Sequence, residues 1–215
     1  LAHMSRDPAL LEAFHNGEDI HTATASSVYG VATSDVTADM RRIAKIMNFG
    51  VLYGLSAFGI SQQTDLSPDD GAKFIETYFG MYPGIKSYVD SVKTQVKEVG
   101  YVETLLGRRR YIPEVHSSNY NVRAAGERMA VNMPIQGTAA EIIKLAMIHI
   151  QERIDALKLR SMMILQVHDE LIFEVPRVEL EQMTAIITEL MPAAMTLAVP
   201  LDVELKTGDN WGDME

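Results

Sequence analysis

Apolar residues recur through the first half of the chain at three- and four-residue spacings, the signature of helices that bury one face. Leu10, Leu11 and Phe14 follow Asp7-Pro8, a capping residue and a first-turn proline, and predict a short helix that closes near Gly17. A second helix is predicted over residues 19–29 with its stop at Gly30, and a third starts at Asp35 or Thr37 and runs to Tyr53 before Gly54. Ser67-Pro68-Asp69-Asp70 opens another, with acidic residues where they complement the helix dipole. After Pro83-Gly84, residues Ile85, Tyr88, Val89, Val92, Val96 and Val99 hold helical spacing as far as Gly100.

The pattern then changes period. Residues 101–106 and 111–115 read as short strands around Gly107-Arg108-Arg109-Arg110. Two helices are predicted next, over 119–132 and 135–157, with Pro134 between them. Residues 162–167 and 171–175 form two apolar strands of hairpin length joined by His168-Asp169-Glu170. A helix over 178–197, broken at Pro192, a final strand over 199–205 and a polar tail complete the chain. Helices dominate the first part and strands concentrate near the end, so the expected class is α+β with two subdomains.

The length, 215 residues, leaves room for one large domain or two small ones. With 47% hydrophobic and 22% charged residues, the composition excludes a disordered or fibrous chain. No apolar run approaches the ~20 residues of a membrane span, and residues 1–20 lack the basic-then-apolar order of a signal peptide. The absence of cysteine excludes a disulfide scaffold, thiolate metal sites and a cysteine nucleophile, and favours a reducing compartment. A net charge of −10 argues against a protein that coats nucleic acid with its whole surface, but leaves room for a local basic site.

Four groups of residues could carry chemistry. Arg41, Lys45, Phe49 and Tyr53 lie four apart and form one helical stripe, cations first and aromatic rings after. A nucleoside triphosphate has the matching polarity, because guanidinium and ammonium groups bind phosphate oxygens and a ring offers a face to a sugar or base. From spacing alone the preferred reading is nevertheless an ordinary amphipathic helix with both rings in the core. His168-Asp169-Glu170 places two carboxylates on a tight connection, suited to a divalent cation through oxygen ligands but also to a solvated turn; as a Mg²⁺ site it needs at least one further acidic ligand. Gly107-Arg108-Arg109-Arg110 is equally a phosphate contact and a solvated loop. Arg128, Asn132 and Gln136 could reach base edges and sugars, although capping roles are the better reading; Arg128 and Asn132 share a face and Gln136 opens the next helix. His21, an isolated helix histidine, reads as structural.

Together these segments resemble the family A DNA polymerases, the bacterial DNA polymerase I group. The run Arg41-Arg42-Ile43-Ala44-Lys45-Ile46-Met47-Asn48-Phe49-Gly50-Val51-Leu52-Tyr53-Gly54 is similar to the family's motif B, the fingers helix that closes over the nucleotide. Gln166-Val167-His168-Asp169-Glu170 resembles motif C of the palm. Asp19-Ile20-His21-Thr22, Tyr101-Val102-Glu103-Thr104 and Asn132-Met133-Pro134-Ile135-Gln136-Gly137 also match family segments in family order. Motifs B and C together reverse the preference for a core-packed stripe.

The resemblance implies a DNA-directed DNA polymerase of bacterial cytoplasm, acting in replication and repair, that transfers nucleotides from dNTPs to a primer 3′-hydroxyl with two Mg²⁺ ions. It implies that His21, Arg41, Lys45, Phe49 and Tyr53 bind the dNTP, with Lys45, Asp169 and Glu170 catalytic. Asp169 would be the metal ligand. Arg108, Arg128, Asn132, Gln136 and His168 would contact primer–template DNA. Residues 1–118 would be mostly fingers with a short palm-linked start, and 119–215 the C-terminal part of the palm. The family's other metal-binding aspartate, in motif A, would lie just upstream of Leu1-Ala2-His3, so the chain is expected to need an N-terminal partner segment and to be inactive alone. A dNTP- or DNA-binding module without catalysis is the alternative; a metal-dependent phosphohydrolase, read from Asp169 and Glu170 only, gains no support from the stripe.

Overall fold

The computed structural model describes residues 1–52, 54, 56–64 and 66–214, the side chains of Val51 and Leu52 aside. The chain divides into two compact units, Leu1–Gly137 and Thr138–Glu215. This division follows packing and falls inside a helix, whereas the subdomain boundary expected at 118/119 follows the motifs.

The first unit is mainly helical. Its elements are α1 (Ala2–Ser5), α2 (Pro8–His15), α3 (Ile20–Tyr29), α4 (Ala38–Leu52), α5 (Ala57–Ser61), α6 (Pro68–Met81) and α7 (Pro83–Val99), followed by the antiparallel ribbon of β1 (Tyr101–Glu103) and β2 (Arg109–Tyr111). The predicted punctuation is visible at the ends. Asp7 accepts from Leu10 N to cap α2, Asp19 accepts from His21 N and Thr22 N to cap α3, and Gly30 ends α3 in the left-handed conformation. Of the two candidate caps for α4, Thr37 is the one used: its hydroxyl accepts from Met40 N at 3.2 Å. Asp7 is fully buried and its second oxygen accepts from Gly84 N at 2.8 Å, which ties the start of α2 to the start of α7.

Three predicted elements differ. The strands of the arginine ribbon are three residues each, and Pro113–His116 forms a 3-10 turn, because Pro113 cannot donate to a ladder. The two helices expected on either side of Pro134 are one, α8 (Tyr120–Leu157). A proline inside a helix removes one N–H and crowds the preceding turn, a cost of about 3 kcal/mol. The carbonyl left without its helical donor is that of Ala130; beside it the Tyr88 hydroxyl of α7 donates to the carbonyl of Val131 at 3.1 Å and ties this turn to α7, and Ala130 and Val131 are buried there. Finally, residues 199–205 join no ladder among the described residues. Their side chains still alternate, with Leu201, Val203 and Leu205 half-buried and Asp202 and Glu204 exposed; alternation orients a strand but a partner is needed to make one.

The second unit contains the remainder of α8, the hairpin β3 (Met162–Val167) with β4 (Glu170–Glu174), and α9 (Leu180–Leu190). The predicted helix over 178–197 is therefore shorter: a 3-10 turn precedes α9, and the helix stops before Pro192, which cannot continue the backbone ladder. Ile150 and Ile154 of α8 and Met183 and Ile186 of α9 form the core, against which Leu171 and Phe173 pack at strand spacing. The architecture is α+β, as expected. Among the described residues, no helix is long and apolar enough to cross a membrane.

If the Tyr88 hydroxyl supports α8 beside Pro134, Tyr88→Phe removes one buried hydrogen bond to that turn. Chemical denaturation should then show a loss of about 1–2 kcal/mol with an unchanged slope. An unchanged midpoint would show that the hydroxyl is not supporting the helix.

Candidate functional site

Helix α4 sorts its residues by face. Ile43, Ala44 and Met47 are buried at 6%, 0% and 0% exposure, and α4 packs against α3. Arg41 and Lys45 lie on the exposed side, and so does Phe49, at 46% exposure. An amphipathic helix that simply fed its aromatic residues to the core would have buried Phe49. Instead the ring completes a solvent-facing stripe of two cations and an aromatic. Tyr53, the fourth predicted member, lies outside the described residues.

His21 of α3 joins this stripe. Its ring centroid is 5.8 Å from that of Phe49, tilted by 45°. Asn48 Nδ2 lies 3.0 Å from His21 Nδ1, and Asn48 Oδ1 accepts from the hydroxyl of Thr24 at 3.2 Å. Arg41 donates to Asp19 Oδ2 from Nε at 2.7 Å, with Nη2 at 2.6 Å, while Asp19 Oδ1 caps α3. Burial works against ionisation of the Asp19 carboxyl, but the hydrogen bonds from Arg41, Thr22 and His21 outweigh it and hold Asp19 below the usual carboxylate range. Burial pushes His21 below the usual histidine range. Arg41 and Lys45 push the same way and Asp19 opposes them, so the imidazole is neutral at neutral pH. The result is a positive, solvent-open face with a neutral histidine at its edge, suited to a polyanion carrying an aromatic base.

Because α8 is continuous, Arg128, Asn132 and Gln136 are four apart on a single helix, a stripe that the expected break at Pro134 had divided. Arg128 and Gln136 are exposed and Asn132 is half-buried. Arg128 approaches the end of α4: a Cβ placed on Gly54, whose φ is +69°, would meet Arg128 Cγ at 2.6 Å. Gly54 therefore serves both the left-handed backbone and the approach of the arginine. Among the described residues, Asn132 Oδ1 is buried with no hydrogen-bond partner. The arginine ribbon is partly structural, since Arg109 bonds Glu103 at 2.6 Å and stacks over the Tyr101 ring at 4.6 Å. Arg108 is exposed on its turn, with its backbone N–H bonded to the hydroxyl of Thr104.

In the second unit, Val167 pairs with Glu170, so His168 and Asp169 make a two-residue turn and Glu170 begins β4. His168 adopts φ 51°, the left-handed conformation that such turns demand, and its carbonyl accepts from the Gln166 side chain. All three side chains at the tip are exposed. Asp169 and Glu170 offer the hard oxygen donors that Mg²⁺ prefers, so their chemistry fits. Two neighbouring carboxylates are nevertheless only part of a site, and among the described residues no group of three or more His, Asp or Glu could hold a metal ion. Ile164 and Leu165 of the same hairpin are 55% and 43% exposed.

Comparison with known proteins decides the lineage. The profile of DNA polymerase family A matches residues 1–213. The chain belongs to DNA polymerase family A. Within this family it is 48% identical over 213 residues to DNA polymerase I of Geobacillus stearothermophilus, covering 99% of the chain and 24% of that protein. It is 47% identical over 212 residues to DNA polymerase I of Mycobacterium leprae, with 99% and 23% covered. A solved structure, the POL domain of Pol1 from M. smegmatis in complex with DNA primer-template and dNTP, superposes with a TM-score of 0.89 at 47% identity, over 94% of this chain and 35% of that one. The chain thus spans about a quarter of the length of its curated relatives.

For this family A chain, the sequence reading missed Asn48 and Thr24 as parts of the His21 surroundings. The available signal was a single amide in the otherwise apolar-and-cationic run of α4, opposite a helix with a threonine three residues after the histidine. The depressed histidine gives a test. A folded pKa below the ordinary value near 6.5 means that the unfolded chain takes up the proton first, so stability falls as pH drops through 6.5 toward the folded value. His21→Gln should flatten that part of the stability–pH curve, measured by denaturation between neutral and mildly acidic pH. An unaltered slope would place the titration elsewhere.

Proposed function

We propose that this chain is the nucleotide-selecting and metal-holding part of a DNA-directed DNA polymerase, which transfers nucleotides from dNTPs to a primer 3′-hydroxyl. The observation that carries the reading is the exposed stripe of α4, in which Phe49 lies on the cationic face rather than in the core. In this reading residues 1–118 supply mostly the fingers and 119–215 the palm. The named DNA and dNTP of the M. smegmatis structure support the partners. The protein acts as part of a complete polymerase, whose length exceeds this chain about fourfold among its relatives.

Arg41 binds the triphosphate through its forked donors, and Lys45 adds a compact charge that follows the phosphates as negative charge builds on the leaving pyrophosphate. Phe49 abuts the sugar and base, His21 donates to a phosphate oxygen, and Tyr53 stacks at the templating position. Arg128, Asn132 and Gln136 run along the primer–template, reading sugars and minor-groove edges; Asn132 Oδ1 brings an unmet acceptor to that task. Arg108 and His168 contact the backbone near the primer end. Asp169 holds Mg²⁺, Glu170 shapes the carboxylate pair, and further acidic ligands come from outside the hairpin. When bound, two Mg²⁺ ions supply Lewis-acid stabilisation of the attacking and leaving oxygens. The exposed apolar residues of β3 fit a hairpin covered by other parts of the complete polymerase.

Two substitutions in a complete polymerase carrying these residues test the reading. Asp169→Ala should reduce the single-turnover rate by well over tenfold while leaving primer–template affinity within a few-fold; a rate within about tenfold of the parent, ~1.4 kcal/mol, would remove the metal-ligand assignment. Phe49→Tyr should raise the kcat/KM for dideoxynucleotides relative to dNTPs by orders of magnitude. The added hydroxyl supplies the hydrogen bond that a missing 3′-hydroxyl leaves unmade. An unchanged ratio would place Phe49 away from the sugar.

A further inference from the structure

The contacts beneath His21 form a chain that starts in the core. Tyr82, at the junction of α6 and α7, is 3% exposed, and its hydroxyl lies 3.4 Å from that of Thr24, which is fully buried. The Thr24 hydroxyl donates to Asn48 Oδ1 at 3.2 Å. An amide has one acceptor end and one donor end, and with the oxygen so engaged the amino group is the end that faces the histidine. Asn48 Nδ2 is 3.0 Å from His21 Nδ1, and an amino group can only donate, so Nδ1 must be the ring's acceptor. The proton of a neutral ring is then on Nε2.

We propose that Asn48 is a positioning residue for His21: it fixes the neutral tautomer with the proton on Nε2, so that the ring presents one aimed N–H donor to a phosphate oxygen of the incoming nucleotide. The second half of this statement rests on the nucleotide-binding reading of α4; the first half rests on the Tyr82, Thr24 and Asn48 contacts alone. The remaining charged groups around the ring are Asp19 at the start of α3 and Arg41 and Lys45 on α4. None of them supplies a donor to Nδ1 among the hydrogen bonds of the described residues, whereas Asn48 does. The buried threonine and tyrosine set the amide from the core side, so the orientation is built into the packing of α3 on α4 and does not wait for a ligand. An aspartate at position 48 would accept where asparagine donates, and would draw the proton to Nδ1.

The test combines ring spectroscopy with kinetics in a complete polymerase carrying these residues. Selective ¹⁵N labelling of histidine reads which ring nitrogen of His21 is protonated. In the parent at neutral pH, Nδ1 should read as unprotonated and Nε2 as protonated. Asn48→Ala should move the two signals toward a common average, and Asn48→Asp should place the proton on Nδ1. Thr24→Val, which keeps the volume but removes the donor that orients the amide, should shift the signals in the same direction as Asn48→Ala and serves if the Asn48 variants do not fold. Halving the population of the tautomer that presents the donor should raise the dNTP KM of Asn48→Ala by about twofold, and relocating the proton should raise that of Asn48→Asp by about threefold to tenfold, with kcat nearly unchanged. In a His21→Gln background Asn48→Ala should add nothing, because the residue that Asn48 positions is gone. Ring signals that are unchanged in Asn48→Ala and Thr24→Val, or already averaged in the parent, would overturn the proposal. Signals that move while KM stays constant would uphold the tautomer control and instead remove His21 from the nucleotide site.

Discussion

The packing of α4 on α3 is the constraint from which the candidate site follows. A helix can bury only one side against a single neighbour, and α4 gives that side to Ile43, Ala44 and Met47. Arg41, Lys45 and Phe49 are thereby left on the solvent side, where the cations keep their hydration and the phenylalanine ring stands beside His21. The same packing brings His21 beside Phe49 and places Asn48, half-buried at the seam, between the ring and the buried hydroxyls of Thr24 and Tyr82. In the proposed reading, core packing and ligand recognition are two sides of one helix.

Charge distribution in the first unit follows from the same arrangement. The chain is acidic overall, yet Arg41 and Lys45 stand on one face, with Asp19 bonded to the guanidinium there. An exposed ion pair of this kind contributes at most about 1 kcal/mol, so a polyphosphate that presents several anionic oxygens can replace Asp19 as the partner of Arg41 at small cost. The cap of α3 does not depend on that exchange, because it uses the other carboxylate oxygen. In the second unit the hairpin tip is similarly divided: the Leu171 and Phe173 side anchors the ribbon on α8 and α9, while Asp169 and Glu170 are left exposed at its end.

Much of this was legible in the residues themselves. Helix ends marked by Asp7-Pro8, Asp19, Gly30 and Ser67-Pro68 lie where their capping chemistry requires, because those signals are local. The misread elements were those decided by distant partners. Nothing near Pro134 announces that Tyr88, far away in sequence, bonds the carbonyl of Val131 in the turn before it. The alternation over 199–205 specifies two faces but carries no information about a pairing strand. The site divides in the same way. The cationic–aromatic stripe is a local spacing, and its residues were named from it, but spacing alone could not say which face of α4 met the core. The link from Tyr82 through Thr24 and Asn48 to His21 joins three helical segments and left only a lone amide as its trace in the sequence.

The most direct test of the central claim is a crystal structure of a complete polymerase carrying these residues, bound to a terminated primer–template, an incoming dNTP and Mg²⁺. The account predicts the triphosphate against Arg41 and Lys45, the sugar against Phe49, and Mg²⁺ on Asp169. A triphosphate bound away from α4, or a metal pair that leaves Asp169 uncoordinated, would contradict it.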